Sequence, residues 1–88
     1  MTIRELLSDE SKWTQRAPAR NEAGELVGPQ DSDAVCWCLW GAVIKTRNIF
    51  QRTDVINSIH ISTGQNVADW NDTHTFKDVR ELIERLEL

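Results

Sequence analysis

A chain of 88 residues makes a single domain, spanning 1–88, of a size that buries only about 60% of the surface its unfolded form exposes, so every large side chain matters to the core. With 40% hydrophobic residues, 27% charged residues and four tryptophans, it belongs with compact globular chains and not with disordered ones. Fourteen acidic against ten basic residues leave a formal charge of −4, which disfavours nucleic acid as a partner, and the uncharged run Ala34–Ile44 is too short for a membrane span of roughly 20 residues.

Thr2 and Glu5 have capping-box spacing ahead of Ile3, Leu6 and Leu7, which predicts a short amphipathic helix at the start. It ends near Ser8 or runs to Trp13, since Ser8, Asp9, Glu10 and Ser11 can also cap a second short turn. Met1 to Ser11 also carries Arg4, Glu5, Asp9 and Glu10 where a secretory signal would need an apolar core. Pro18 disfavours helix at Ala17, and the segment Ala17 to Gln30 is irregular, with Asn21, Glu22, Ala23 and Gly24 as the turn of a small β-hairpin.

The stretch from Asp31 to Thr46 organises the rest. It reads as a central, nearly fully buried helix, with Asp31, Ser32 and Asp33 as its capping oxygens and Lys45 and Arg47 at the end where cations are favoured. Arg47 to Arg52 then reads as a connection with Phe50 packed inward. Thr53 and Asp54 open a third helix of about ten residues that stops at Gly64. Gln65 to Thr73 reads as a loop holding Trp70. The clearest helix closes the chain, with Thr75 and Asp78 at capping-box spacing and Phe76, Val79, Leu82, Ile83 and Leu86 on one face. The fold class is therefore mainly all-α, with about four helices around a central apolar helix and a small hairpin in 17–30.

Within the central helix, Ala34, Cys38, Gly41 and Ala42 form a smooth stripe of small residues, and Trp37, Trp40 and Ile44 a bulky one. The expectation is that the C-terminal helix packs along the small stripe, with the first helix and the Ala17 to Gln30 segment over the bulky one. Gly41 costs about 1 kcal/mol relative to Ala inside a helix, so it calls for a packing reason. Cys36 and Cys38 would lie on opposite sides of such a helix and cannot bridge, which makes them reduced thiols of a cytoplasmic protein.

Trp13-Thr14-Gln15, Gly24, the run Ala34-Val35-Cys36-Trp37-Cys38-Leu39-Trp40-Gly41-Ala42 and the late Trp70-Asn71-Asp72 together resemble a small uncharacterised bacterial and phage domain of unknown function. That family pattern has W-x-Q, A-x-x-W-C-x-x-G-A and W-N-D elements. The likeness runs from about residue 10 to the end. It implies no activity, ligand or catalytic residue.

Trp70, Asn71 and Asp72 are the leading candidates for a binding site, with Trp13 and Gln15, beside Arg16, as a second group. Each group has a plain alternative: Asn and Asp fix loops or cap helices, and large aromatics serve the core first. Four conceivable zinc ligands, Cys36, Cys38, His60 and His74, lack the spacing of a structural site, so no metal is expected. A thiol on an apolar helix has its pKa raised, which argues against a cysteine nucleophile. The chain has no phosphate-binding loop or dinucleotide fingerprint, and no cofactor or catalytic residue is expected. The reading this favours is a small acidic, non-enzymatic protein-protein interaction module of phage or mobile-element type, such as a host-factor inhibitor. Its partner is another protein or a second copy, a homodimer forming through the bulky stripe. The alternative is a small-molecule binder or enzyme with a pocket at Trp70, Asn71, Asp72 and Gln15.

Overall fold

The computed structural model describes residues 1–88. Helix α1 (Ile3–Leu6) is followed by a 3-10 turn (Glu10–Lys12), strands β1 (Ala19–Arg20), β2 (Leu26–Val27) and β3 (Cys36–Trp37), and helices α2 (Leu39–Thr46), α3 (Ile49–Thr63), α4 (Val67–Asp72) and α5 (Phe76–Arg85). The architecture is mainly helical, and α2 is its hub: α1, α3 and α4 all pack against it, while α5 packs on α1. No helix is long and apolar enough to cross a membrane.

The two ends form as their local signals require. Thr2 and Glu5 make a reciprocal capping box at α1, Asp9 caps the 3-10 turn, and Thr75 and Asp78 make the same box at α5. Ile3, Leu6 and Leu7 from the first end, and Val79, Leu82 and Ile83 from the last, fill one hydrophobic cluster with Leu39, Val43, Ile59 and Val67. Arg80 reaches from α5 to donate to the carbonyls of Arg4 and Leu7, which α1 leaves free at its C-terminal end. The hairpin forms around Gly24, whose φ of +79° suits a residue without Cβ. Its strands pair Ala19 with Val27 and Arg20 with Leu26.

Four expectations are corrected. The central helix starts at Leu39, with Cys38 as its N-cap, and not in the Asp31–Ala34 region. Asp31 instead closes a turn by accepting from the Asp33 amide at 2.8 Å. Cys36 and Trp37 form the third strand, antiparallel to β1, in the sheet order β2-β1-β3. β-Branched, aromatic and cysteine side chains in the sequence Val35-Cys36-Trp37 suit an extended chain, and Ala19–Arg20 offers the edge that receives it. The bulky stripe is thereby divided: the Trp37 side chain is buried from the strand and its indole donates to the Pro29 carbonyl, whereas Trp40 on α2 stays 37% exposed.

Second, the small stripe does not receive the C-terminal helix. A Cβ on Gly41 would lie 1.9 Å from the Pro18 carbonyl oxygen, so the glycine admits the backbone entering β1. Third, α3 begins at Ile49, capped by the Asn48–Gln51 box, and runs for 15 residues. Phe50 lies in its first turn, 88% exposed and not packed inward. Arg52 occupies the inner side there and donates to the Arg47 and Ile44 carbonyls at the end of α2. Fourth, Gln65 to Thr73 is not a loop but contains α4, capped by Asn66.

Candidate functional site

Trp13, Thr14 and Gln15 leave the 3-10 turn in an extended conformation alongside β3. The Thr14 amide donates to the Trp37 carbonyl at 3.1 Å, and Trp13 bridges Trp37 in parallel. This brings the segment against the end of α4, so the five residues singled out from the sequence, Trp13, Gln15, Trp70, Asn71 and Asp72, meet although more than fifty positions separate the two groups.

Asn71 is the centre of the meeting point and is fully buried. Its Oδ1 accepts from the Trp13 indole at 2.7 Å and from the Leu39 amide at 3.0 Å. Its Nδ2 donates to the Thr14 carbonyl at 3.1 Å and to Asp72 Oδ1 at 3.2 Å. Indole and amide N–H groups only donate, whereas a carbonyl and a carboxylate only accept, so the neighbours leave one orientation for the side-chain amide. Every hydrogen-bonding position of Asn71 that these neighbours address is filled, as a buried polar group requires. Because Leu39 is the first residue of α2, Asn71 also satisfies one of the amides that the helix leaves free.

The surrounding side chains secure the same junction. Gln15 Nε2 donates to the Asn71 and His74 carbonyls at 3.1 and 2.9 Å. Trp70 is buried and stacks on the His74 ring with centroids 4.4 Å apart, and Trp13 packs against Phe76 at 5.8 Å. Asp72 Oδ1 accepts from the Arg16 amide at 2.8 Å. That bond holds Arg16 at φ +63°, a left-handed conformation that costs a non-glycine residue about 1 kcal/mol or more.

Above this junction the surface opens into a groove of about 370 Å³ lined by Arg16, Ala17, Pro18, Cys38, Trp40, Ala68 and Asp72. Arg16 is exposed and Trp40 presents part of its ring. Of the sequence candidates only Asp72 lines it. Arg16 and Trp40 were not singled out as binding residues, and the sequence held one usable sign: Trp40 follows the buried Leu39 and precedes the buried Gly41, Ala42 and Val43, a spacing that turns it outward on a short helix. A hollow of about 480 Å³ between the hairpin turn and the Asp33 loop is larger, but it is lined by Asn21, Glu22, Ala23, Ser32, Asp33 and Val35 and has no aromatic wall.

Cys38 is the one thiol in the Trp40 groove. Burial pushes it above the usual thiol range, against the opposing effect of the Gly41 amide, which donates to its Sγ at 3.3 Å. The thiol is therefore protonated and serves as a helix cap. His60 and His74 stand elsewhere, each with its Nδ1 at a backbone carbonyl. No group of three or more His, Cys, Asp or Glu side chains is arranged to hold a metal ion.

A model described as a family of unknown function (DUF6197) matches residues 2–87, so the chain belongs to that family. No curated protein and no solved structure matches it.

Proposed function

We propose that this member of a family of unknown function is a non-enzymatic protein-protein interaction module, and that its groove at Arg16 and Trp40 receives a partner. The observation that carries the reading is the half-covered Trp40 ring between Pro18 and Ala68, with the Arg16 cation and the Asp72 carboxylate on the rim. Tryptophan and arginine are the residues that most often concentrate binding energy at interfaces, and an apolar wall with one charge of each sign suits a peptide segment with an apolar anchor and a neighbouring acidic group. In this reading Trp13, Gln15, Trp70 and Asn71 are positioning residues: they fix the groove wall before the partner arrives, which limits the ordering cost of binding. Asp72 does both, holding Arg16 and facing the groove.

Two unpaired thiols, Cys36 and Cys38, fit a reducing compartment such as the cytoplasm. A phage- or mobile-element-encoded inhibitor of a host factor is the biological setting we favour. The test is affinity capture from a cytoplasmic lysate with the native chain beside a Trp40→Ala, Arg16→Glu variant whose melting temperature is unchanged. A partner retained by the native chain and lost by the variant supports the reading, and equal capture by both refutes it. The groove volume also lies at the lower end of the roughly 300–1,000 Å³ occupied by small-molecule sites, which keeps a small-molecule ligand as the second reading. Thermal upshift of the native chain by a metabolite set, absent in the same variant, would favour that reading.

A further inference from the structure

Helix α3 presents a second surface, apart from the groove residues. Ile59 is fully buried and marks its inner face, with the partly buried Val55 and Ile56 beside it. Phe50 is nine residues before Ile59, half a revolution away at 100° per residue, and Ile61 falls within about 20° of Phe50. The outer face therefore carries Phe50 at one end and Ile61 at the other, 88% and 81% exposed, with the exposed Asp54 and Asn57 between them. Large apolar side chains this exposed on a helix whose core positions are already filled have no folding role in the monomer.

We propose that this face pairs with the same face of a second copy, the two α3 helices running antiparallel about a two-fold axis between residues 55 and 56. In that register Phe50 meets the partner's Ile61 at both ends. Asp54 faces the partner's Asn57, a carboxylate opposite an amide donor, and Thr53 faces the partner's Ser58. A parallel pairing instead sets Asp54 against the partner's Asp54, two like charges. Charge also favours self-contact here and not elsewhere: α3 holds one cation, Arg52, and one anion, Asp54, so it is neutral, while the remaining residues carry the whole −4 of the chain. Two molecules that repel over most of their surface can approach along this helix. A helix of 15 residues is about 22 Å long and buries roughly 400 Å² per copy in such a contact, below the roughly 800 Å² per partner of a standard interface. The dimer is accordingly weak and reversible, populated at high concentration.

Sedimentation equilibrium on the full chain from about 10 μM to about 1 mM tests this directly. The native chain should show a monomer–dimer equilibrium, and Phe50→Ser should weaken it by about tenfold or more at an unchanged melting temperature. Asn57→Lys sets the register: antiparallel pairing places the new cation opposite Asp54 and tightens the dimer at low salt, whereas parallel pairing places it opposite its own copy and weakens it. Trp40→Ala should dimerise like the native chain, which separates this surface from the groove. A native chain that is monomeric throughout, a dimer indifferent to Phe50→Ser, or a dimer weakened by Asn57→Lys would each overturn the proposal.

Discussion

Replacing Asn71 by alanine removes four hydrogen bonds at once and leaves their partners behind. The Leu39 amide is buried and has no water to turn to, which costs about 2 kcal/mol; the Trp13 indole and the Thr14 carbonyl are half-buried and cost about 1 kcal/mol each. The sum, about 3–5 kcal/mol with the small cavity included, is a large part of the roughly 4–13 kcal/mol that a domain of this length holds in total. Thermal unfolding followed by circular dichroism should show a midpoint lowered by about 15 °C or more. Asn71→Asp gives the argument a sign. It retains the two acceptor contacts but turns a carboxylate oxygen toward Thr14 and toward Asp72, so burial and the neighbouring charge raise the new group's pKa in the folded state. A raised acid destabilises the fold above its unfolded pKa and recovers as the pH falls, so this variant should regain stability between about pH 7 and pH 4.5. An Asn71→Ala variant within about 1 kcal/mol of the native chain would refute the reasoning and return Asn71 to the candidates for direct ligand contact.

Gly41→Ala should destabilise strongly, by about 3 kcal/mol or more, although alanine is the better helix former by about 1 kcal/mol, because the methyl meets the Pro18 carbonyl; equal urea midpoints would contradict this. Under native conditions at pH 8, iodoacetamide should alkylate Cys36, which is partly exposed, well before Cys38, and mass spectrometry of the peptide holding both shows the order by fragmentation. The Thr75 amide and hydroxyl hold Asp78 below the usual carboxylate range, so its contribution is present at neutral pH and lost as the pH falls below about 4. Asp78→Asn should therefore flatten the acid limb of a stability–pH curve, and Thr75→Ala should cost about 1 kcal/mol at pH 7. Ile59→Ala should cost about 2–5 kcal/mol while Phe50→Ser stays within about 0.5 kcal/mol, a contrast that denaturant titration resolves.

The parts of the fold legible in the sequence are those fixed by neighbours along the chain. Thr2 with Glu5 and Thr75 with Asp78 are capping boxes that act within one turn, and the apolar stripe of α5 needs no distant partner to be seen. The start of α2 was not legible because an uncharged run has no polar face: Cys36 and Trp37 fit a buried helix or a buried strand equally, and only Arg20 and Ala19, far along the chain, decide for the strand. At α3 the Asn48–Gln51 box was there to be read, but treating Phe50 as a core residue hid it. Apolar side chains are commonly exposed, and the inner position of that turn belongs to Arg52. Likewise Asn66 and Asp69 mark the start of α4, a helix short enough for its turn residues to suggest a loop.

For the site, the candidates were legible by residue type and their meeting was not. Trp13 with Gln15 and Trp70 with Asn71 and Asp72 stood out as polar side chains beside tryptophans, yet nothing local says that one asparagine satisfies both groups and the first amide of α2. The groove was further from view, since Arg16, Pro18, Trp40 and Ala68 lie on four different segments and Arg16 takes its conformation from Asp72.

Binding of a partner at the Trp40 groove is tested most directly by quantitative affinity capture with two variants in parallel. Trp40→Ala alters only the groove wall, and Gln15→Ala alters only a support beneath it, where the Asn71 and His74 carbonyls lose a donor. The account predicts that Trp40→Ala abolishes capture at an unchanged melting temperature, while Gln15→Ala lowers the melting temperature and weakens capture only in part. Full capture by Trp40→Ala, together with complete loss by a Gln15→Ala chain of native stability, would contradict it.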